Sequence, residues 1–316
     1  MKDLSIIICV YNEEENIKPL VEQIHSSINN IDYEVIYVDD GSKDKTRKNI
    51  LDLDDPKIKL VELRKNYGQS SALAAGIQEA EGEYIALMDG DLQNDPSDIP
   101  MMLEKLKTED RDLVAGIRAN RKDGFLLRKI PSKIANSIIR KSTGIRIKDY
   151  GCTLKVFKTD IAKDMRIYGE LHRFIPVLAS FEGATNITQV DVKHHARIHG
   201  TSKYGINRTF KVMSDLLVMV FRKRYMQKPM HLFGTWGIIT LLAGIGIEIY
   251  LLVLKLMGED IWGRPIMLLG ILLVLAGIQL ITFGIMADTL MRTYYESQNK
   301  RPYKIKKISI GKKTLT

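Results

Sequence analysis

Cysteine is nearly absent from this chain: Cys9 and Cys152 are the two in 316 residues. Two thiols cannot build a disulfide framework, so nothing points to an oxidising compartment. No secretory leader is expected, because Met1-Lys2-Asp3 runs directly into the short apolar segment Leu4 to Val10. A histidine metal set is also lacking. His25, His172, His194, His195, His199 and His231 show no ligand pattern, and His172 and His195 read as polar core or edge residues. Acids are scarce near the C-terminus, where Glu296 is the one acid between Arg292 and Lys313. The net charge of +9 taken alone fits nucleic acid, membrane or phosphorylated ligands.

Long apolar runs are present. Leu232 to Leu254 is interrupted by Glu248 and a few small polar residues, and Pro265 to Ala287 by Gln279 and Thr282. At 1.5 Å per residue each can cross a hydrocarbon layer of ~30 Å. One short loop, KLMGEDIWGR, separates them, and Arg222-Lys223-Arg224 with Lys228 precedes the first. This predicts a membrane hairpin with both ends cytoplasmic. A carboxylate inside a span, here Glu248, is expected to face a partner or mark function. Gly263, Gly270, Gly277 and Gly284 recur every seven residues along the second run. Such a step drifts by only ~20° on an ideal helix, so they share one face. That face suits the first span, with Gly237 and Gly244, or the second span of another subunit, while Leu273 is expected to face lipid. The preceding stretch, GINRTFKVMSDLLVMVFRKRY, has an apolar face of Ile206, Phe210, Met213, Leu217 and neighbours and a basic end. It reads as a helix lying at the membrane interface.

The remainder reads as soluble α/β. Leu4–Val10, Tyr33–Asp39, Ile58–Leu63 and Tyr84–Asp89 are strand-like. Helical patterns separate them: Ile17 to Ile28, Thr46 to Leu53 and Ser70 to Ala80. The alternation predicts parallel strands with right-handed crossovers and a ligand beyond their carboxyl ends. Three polar sets fall at such ends: YNEE, DDGS and DGDLQ. In YIALMDGDLQNDP the strand runs into Asp89, Gly90, Asp91 and Gln93. Two carboxylates this close repel each other, so a positive group is expected between them.

The stretches SIIICVYNEEENI, VIYVDDGSKDKT, NYGQSSALAAGIQEAEGEYIALMDGDLQNDP and ARIHGTSKY resemble the inverting family-two glycosyltransferases of the GT-A fold. More narrowly the chain is similar to the polyprenyl-phosphate sugar transferases, and the likeness extends through RTYYESQNKRPY at the end of the hairpin. Cys9 departs from the pattern, since most relatives carry proline before YNE; a local change in the turn is expected.

The resemblance implies a Rossmann-like, mostly parallel α/β GT-A domain over 1–204, a juxtamembrane amphipathic helix over 205–228, a two-span hairpin over 229–290 and a basic cytoplasmic tail over 291–316. It implies a UDP- or GDP-linked sugar as donor and a polyprenyl phosphate, undecaprenyl or dolichyl, as acceptor. The setting is the cytoplasmic face of the inner membrane, with a homo-oligomer through the spans as an option and no nucleic-acid partner. Asp89, Asp91 and the Gln93 carbonyl are oxygen donors suited to Mg²⁺ or Mn²⁺. Such an ion would stabilise charge developing on the diphosphate. Asp91 is then the direct ligand, and Asp89 a second ligand or a ribose contact. By the resemblance Tyr11, Glu13 and one of Asp39 and Asp40 surround the base and ribose, beside Gly90. Arg118, Arg197 and Lys203, next to Ser202, contact the donor phosphates, and Arg128 and Ser132 the acceptor phosphate. Asp149 lies beside the acceptor, as a general base or as the residue that orders an arginine or a sugar hydroxyl. NYGQ resembles the glucosyl type and DYGCTLKVF the aminoarabinose transferase. A processive polysaccharide synthase would need more spans and a QxxRW-type motif, which the chain lacks. A non-catalytic scaffold would have no use for three carboxylate sets.

Overall fold

Strand β1 (Leu4–Val10) is buried along almost its whole length, as are β2 (Tyr33–Asp39) and β4 (Tyr84–Asp89). Strands covered on both faces have no solvent side, which is why their sequences are apolar runs and do not alternate. They form the centre of a seven-stranded sheet of order β3-β2-β1-β4-β6-β5-β7. The outer members are β3 (Ile58–Glu62), β5 (Leu113–Arg118), β6 (Lys155–Lys158) and β7 (Ile187–Val192). β1 pairs in parallel with β2 and β4, and β2 with β3. β5 and β7 are also parallel. β6 runs antiparallel to β4 and β5, beyond the region where strands and helices alternate regularly.

These elements belong to a computed structural model that describes residues 2–118, 145, 147–196, 218, 221, 225, 228–297, 308–310 and 313–315. Arg128, Ser132, Arg197, His199, Ser202, Lys203 and most of the segment 205–228 lie outside the described residues. The chain divides into two compact units, Met1–Leu217 and Val218–Thr316.

In the first unit, helix α1 (Ile17–Ser27) turns Ile17, Leu20, Val21 and Ile24 into the core. That is the helical spacing visible in the sequence. Helix α2 (Thr46–Leu51) ends earlier than the apolar pattern suggests. Its last amides bond three residues back, Leu53 N to Ile50 O and Asp54 N to Leu51 O, and Asp54 then takes φ 46°. Helix α3 (Gln69–Glu79) starts directly after Gly68, whose φ of 91° suits glycine.

In the second unit, the helices Pro229–Leu256 and Pro265–Ser297 outrun the apolar stretches Leu232–Leu254 and Pro265–Ala287. Both are long and apolar enough to cross a membrane, with 28 residues in Pro229–Leu256 and 27 in Pro265–Met291. Threonine hydroxyls in them donate to carbonyls four residues back, as Thr240 does to Trp236 and Thr282 to Ile278. No polar hydrogen is then left facing lipid at those positions.

The glycine face packs within the hairpin. A Cβ on Gly277 would lie 2.6 Å from the Leu241 amide nitrogen, and one on Gly244 2.7 Å from that of Val274. Gly237 and Gly284 are equally close to Ile281 and Met230. The stripe's partner is therefore the first span of the same chain. Gly263 is not part of it: it sits in the connecting turn at φ 77° with open space where a Cβ would be. The Glu248 carboxyl lies over Gly270, and its buried Oε1 has no hydrogen-bond partner among the described residues. The partner expected for Glu248 is not found at Oε1 among the described residues. The tail adds a small antiparallel pair, β8 (Ile308–Ile310) with β9 (Lys313–Leu315), which the basic composition did not suggest.

Gly277→Leu should destabilise the hairpin by about 1–3 kcal/mol or more, because a side chain has nowhere to go but into backbone. Leu273 is half-buried and is not the lipid-facing control its position suggested. Leu275, 52% exposed, serves instead. Detergent melting of Gly277→Leu and Leu275→Ala should differ clearly; equal behaviour would refute the packing face.

Candidate active site

The register of β1 sets Val10 opposite Asp39 and Cys9 opposite Asp89. The ends of β1, β2 and β4 therefore coincide, and YNEE, DDGS and DGDLQ meet at one edge. β5 runs in the direction of β4, since both are antiparallel to β6, so Arg118 reaches the same edge.

The loops after β1 and β2 are stitched together. Asn12 N donates to Ser42 Oγ (2.9 Å), and Lys43 N to Asn12 Oδ1 (2.8 Å). Glu13 N donates to Thr46 Oγ1 (2.9 Å), and Lys45 N to Glu14 Oε2 (2.7 Å). Asn12 and Glu14 thus serve the scaffold. Tyr11 and Glu13, partly buried, stay at the edge, with Glu13 accepting from Asn16 Nδ2 at 2.6 Å.

The two adjacent aspartates have different partners. Asp40 accepts the Tyr67 and Gly68 amides, one on each oxygen, at 2.7 and 2.9 Å. Burial still outweighs these bonds and, with Asp39 adjacent, raises its pKa. Asp39, wholly buried, accepts the Ser42 amide and the Arg47 Nε at 2.5 Å. Gly41, between this pair and Ser42, has φ 78° and lies against the Lys65 backbone, where a Cβ would come within 2.6 Å. A larger residue there would push the two loops apart.

Asp89 ends β4 and accepts from Gln69 Nε2 at 2.8 Å. Burial, and then the charge of Asp91, push its carboxyl up to about 6, against the opposing pull of Thr153, Lys155 and Arg118. Gly90 is buried, and a Cβ there would come within 2.7 Å of Val10 Cγ1, so the position leaves no room for a side chain. Strand alternation does not carry on to Gln93 as expected. Leu92 takes φ 60°, a conformation costly for a branched side chain, and turns the chain. Asp91 then accepts the Gln93 amide at 3.2 Å, and Gln93 O accepts from His195 N at 2.9 Å. Behind the carboxylates the Cys9 thiol is raised well above its usual range by burial, and further by Asp89 and Asp40.

The residue types of Asp89 and Asp91, paired carboxylates, suit a hard divalent cation. A buried carboxylate, raised by burial and then by its neighbour's charge, would be relieved by a positive ion. Among the described residues no three His, Cys, Asp or Glu side chains form a closed metal cage.

Arg118 and Asp149 form a two-point pair: Nε to Oδ2 at 2.7 Å and Nη2 to Oδ1 at 2.9 Å. Gly151 makes room for the guanidinium, since a Cβ there would lie 2.8 Å from Nη2. Burial works to raise the Asp149 pKa, but the Arg118 contacts and the Gly151 amide outweigh it and the net shift is downward. A carboxylate held this way is a poor proton acceptor. His172 accepts or donates at Ser70 Oγ, 2.9 Å away, and burial, with Arg173 and Lys155, lowers its pKa to about 3. His195 pairs with Asp95 at 3.2 Å on the edge. Both fit the structural roles expected. Sequence reasoning did not single out Arg47, Gln69, Thr153 and Lys155; Gln69 lies in NYGQ and Thr153 and Lys155 in DYGCTLKVF, but Asp89, which Gln69 and Thr153 hydrogen-bond, is far from them in sequence.

The chain thus combines a mostly parallel α/β unit, whose strand ends gather carboxylates, with two long apolar helices that suggest association with a membrane. Residues 5–166 match the profile of Glycosyl transferase family 2. The chain belongs to this family and is a glycosyltransferase. It is 43% identical to the dodecaprenyl-phosphate galacturonate synthase of Rhizobium johnstonii, over 97% of this chain and 93% of that protein. It is 33% identical to the undecaprenyl-phosphate 4-deoxy-4-formamido-L-arabinose transferase of Photorhabdus laumondii, over 99% and 96%. Glucosyl-3-phosphoglycerate synthase from Mycobacterium tuberculosis, solved with Mn²⁺, UDP and glucosyl-3-phosphoglycerate, shares the GT-A fold. Its TM-score is 0.55 at 15% identity, over 70% of this chain and 80% of that one. The same enzyme has also been solved with Mg²⁺ and UDP.

Asp149→Asn should lower stability at neutral pH by about 1.5–3 kcal/mol, the usual worth of charged hydrogen bonds. The folded pKa of Asp149 is depressed, so its contribution is present above the unfolded value of about 3.9 and fades as pH falls through the folded one. Melting temperatures of wild type and Asp149→Asn should therefore converge below about pH 4. A constant gap across pH would mean that the pair's charge does not stabilise the fold.

Proposed function

We propose that this glycosyltransferase moves a sugar from a nucleotide-sugar to a polyprenyl phosphate, with inversion at the anomeric carbon, on the cytoplasmic face of a membrane. The supporting observation is that two near-full-length relatives act, by their names, on a polyprenyl-phosphate acceptor, and the similarity runs through the hairpin. Basic residues flank both outer ends of the hairpin, Arg222 to Lys228 before it and the tail from Arg292 after it. That charge distribution supports a cytoplasmic position for both ends.

Asp89, Asp91 and Gln93 hold Mg²⁺ or Mn²⁺ in this reading. When bound, such an ion offsets the charge that builds on the leaving diphosphate. Tyr11, Glu13 and one of Asp39 and Asp40 border the nucleoside. Asp149 orders Arg118, which stands on the donor-phosphate side in this reading. Arg197 and Lys203 join it on the donor side, and Arg128 and Ser132 take the acceptor phosphate. That phosphate is already an anion at neutral pH, so its oxygen attacks without giving up a proton. A depressed Asp149 therefore costs the reaction nothing. The donor sugar is a uronic acid or an amino sugar, following the two relatives; the uronic acid was not apparent from the motifs.

Full-length enzyme with undecaprenyl phosphate should be incubated with labelled UDP-galacturonate, UDP-4-deoxy-4-formamido-arabinose, UDP-glucose and GDP-mannose. Label should enter the lipid phase only when the acceptor is present. No lipid-borne label from any donor would overturn this reading. EDTA should abolish transfer, and Mn²⁺ or Mg²⁺ should restore it. Asp91→Asn should lower turnover by on the order of a thousandfold while the protein stays folded. Wild-type turnover by this variant at saturating metal would remove Asp91 from the site.

A further inference from the structure

Lys155 occupies a position where a strand interior would ordinarily be apolar. It is 2% exposed and stands opposite Leu87 of β4 and Ala115 of β5. Its ammonium donates to the Cys152 carbonyl, and that is its one hydrogen bond among the described residues. One carbonyl does not replace the hydration that a buried ammonium loses. Burial accordingly lowers its pKa. A methionine or leucine would fill the same volume without this cost.

The surroundings show what the charge faces. Side chains two apart on a strand share a face, so Lys155 lies on the face of β4 that carries Leu87 and, one step on, Asp89. Thr153, two residues before Lys155, hydrogen-bonds Asp89. The charge of Lys155 is felt by Asp89, and both Asp149 and Asp89 act back on it. The other cation here, Arg118, is bound at two points to Asp149. Lys155 is ion-paired to neither carboxylate and is too deeply buried to touch a substrate.

We propose that Lys155 is a positioning residue, a buried counter-charge behind Asp89 and Asp149 that weakens the acidic site's hold on a bare divalent cation. The ion is then held firmly together with a nucleoside diphosphate and weakly without it, and it leaves with the spent diphosphate. This rests on the metal-dependent reading of Asp89 and Asp91 above.

The test measures Mn²⁺ affinity of the full-length protein in detergent, from the EPR signal of free Mn²⁺, with and without UDP or GDP. Lys155→Met should bind Mn²⁺ without nucleotide about tenfold more tightly than wild type, because one nearby positive charge is gone. Its further gain on adding nucleotide should be smaller. A lysine that only supports the fold would change the melting temperature and leave Mn²⁺ affinity untouched. Equal affinity in wild type and Lys155→Met overturns the inference and leaves the metal reading standing. Failure of wild type to bind Mn²⁺ even with nucleotide overturns both. Should Lys155→Met not fold, Lys155→Gln takes its place, since it keeps a donor for the Cys152 carbonyl. It too should bind bare Mn²⁺ more tightly than wild type, and unchanged affinity in it overturns the inference.

Discussion

Repulsion between carboxylates gathered at one sheet edge is the constraint on which the catalytic unit depends. Parallel strands that end in register deliver their terminal side chains to one place, and here those side chains are acids. Each acid is compensated differently. Asp40 accepts two backbone amides, Asp39 accepts Arg47, and Asp149 is gripped by Arg118. Asp89 remains raised to about 6, by burial first and then by the charge of Asp91, against the pull of Thr153.

The same compensation builds the walls of the site. Asp40 ties the loop before α3 to the end of β2, and Asn12 and Glu14 tie the loop after β1 to the loop after β2. Residues that look like ligands in a motif are therefore divided between binding and construction. Within YNEE, Asn12 and Glu14 build while Tyr11 and Glu13 stay at the edge.

The order of the first four strands was legible because strands buried on both faces leave apolar runs, and the acids at their ends stood out against those runs. The antiparallel β6 was not, since a short strand of the pattern KVFK carries two lysines and resembles surface. One of those lysines, Lys155, is among the most buried side chains of the protein. Periodicity cannot reveal a lysine that turns inward within a strand. The glycine stripe was legible as a face, but its partner depended on how the two spans cross, which spacing does not encode. The turn at Leu92 was hidden for a similar reason, because a left-handed leucine carries no compositional mark.

The close fit of the two spans bears on transport. Where Gly244 meets Val274 and Gly277 meets Leu241, backbone touches backbone, so the hairpin has no lumen of its own. A sugar attached on one side of the membrane cannot be threaded through these two helices. Close packing of this kind suits two helices that hold each other in place and leave no passage between them.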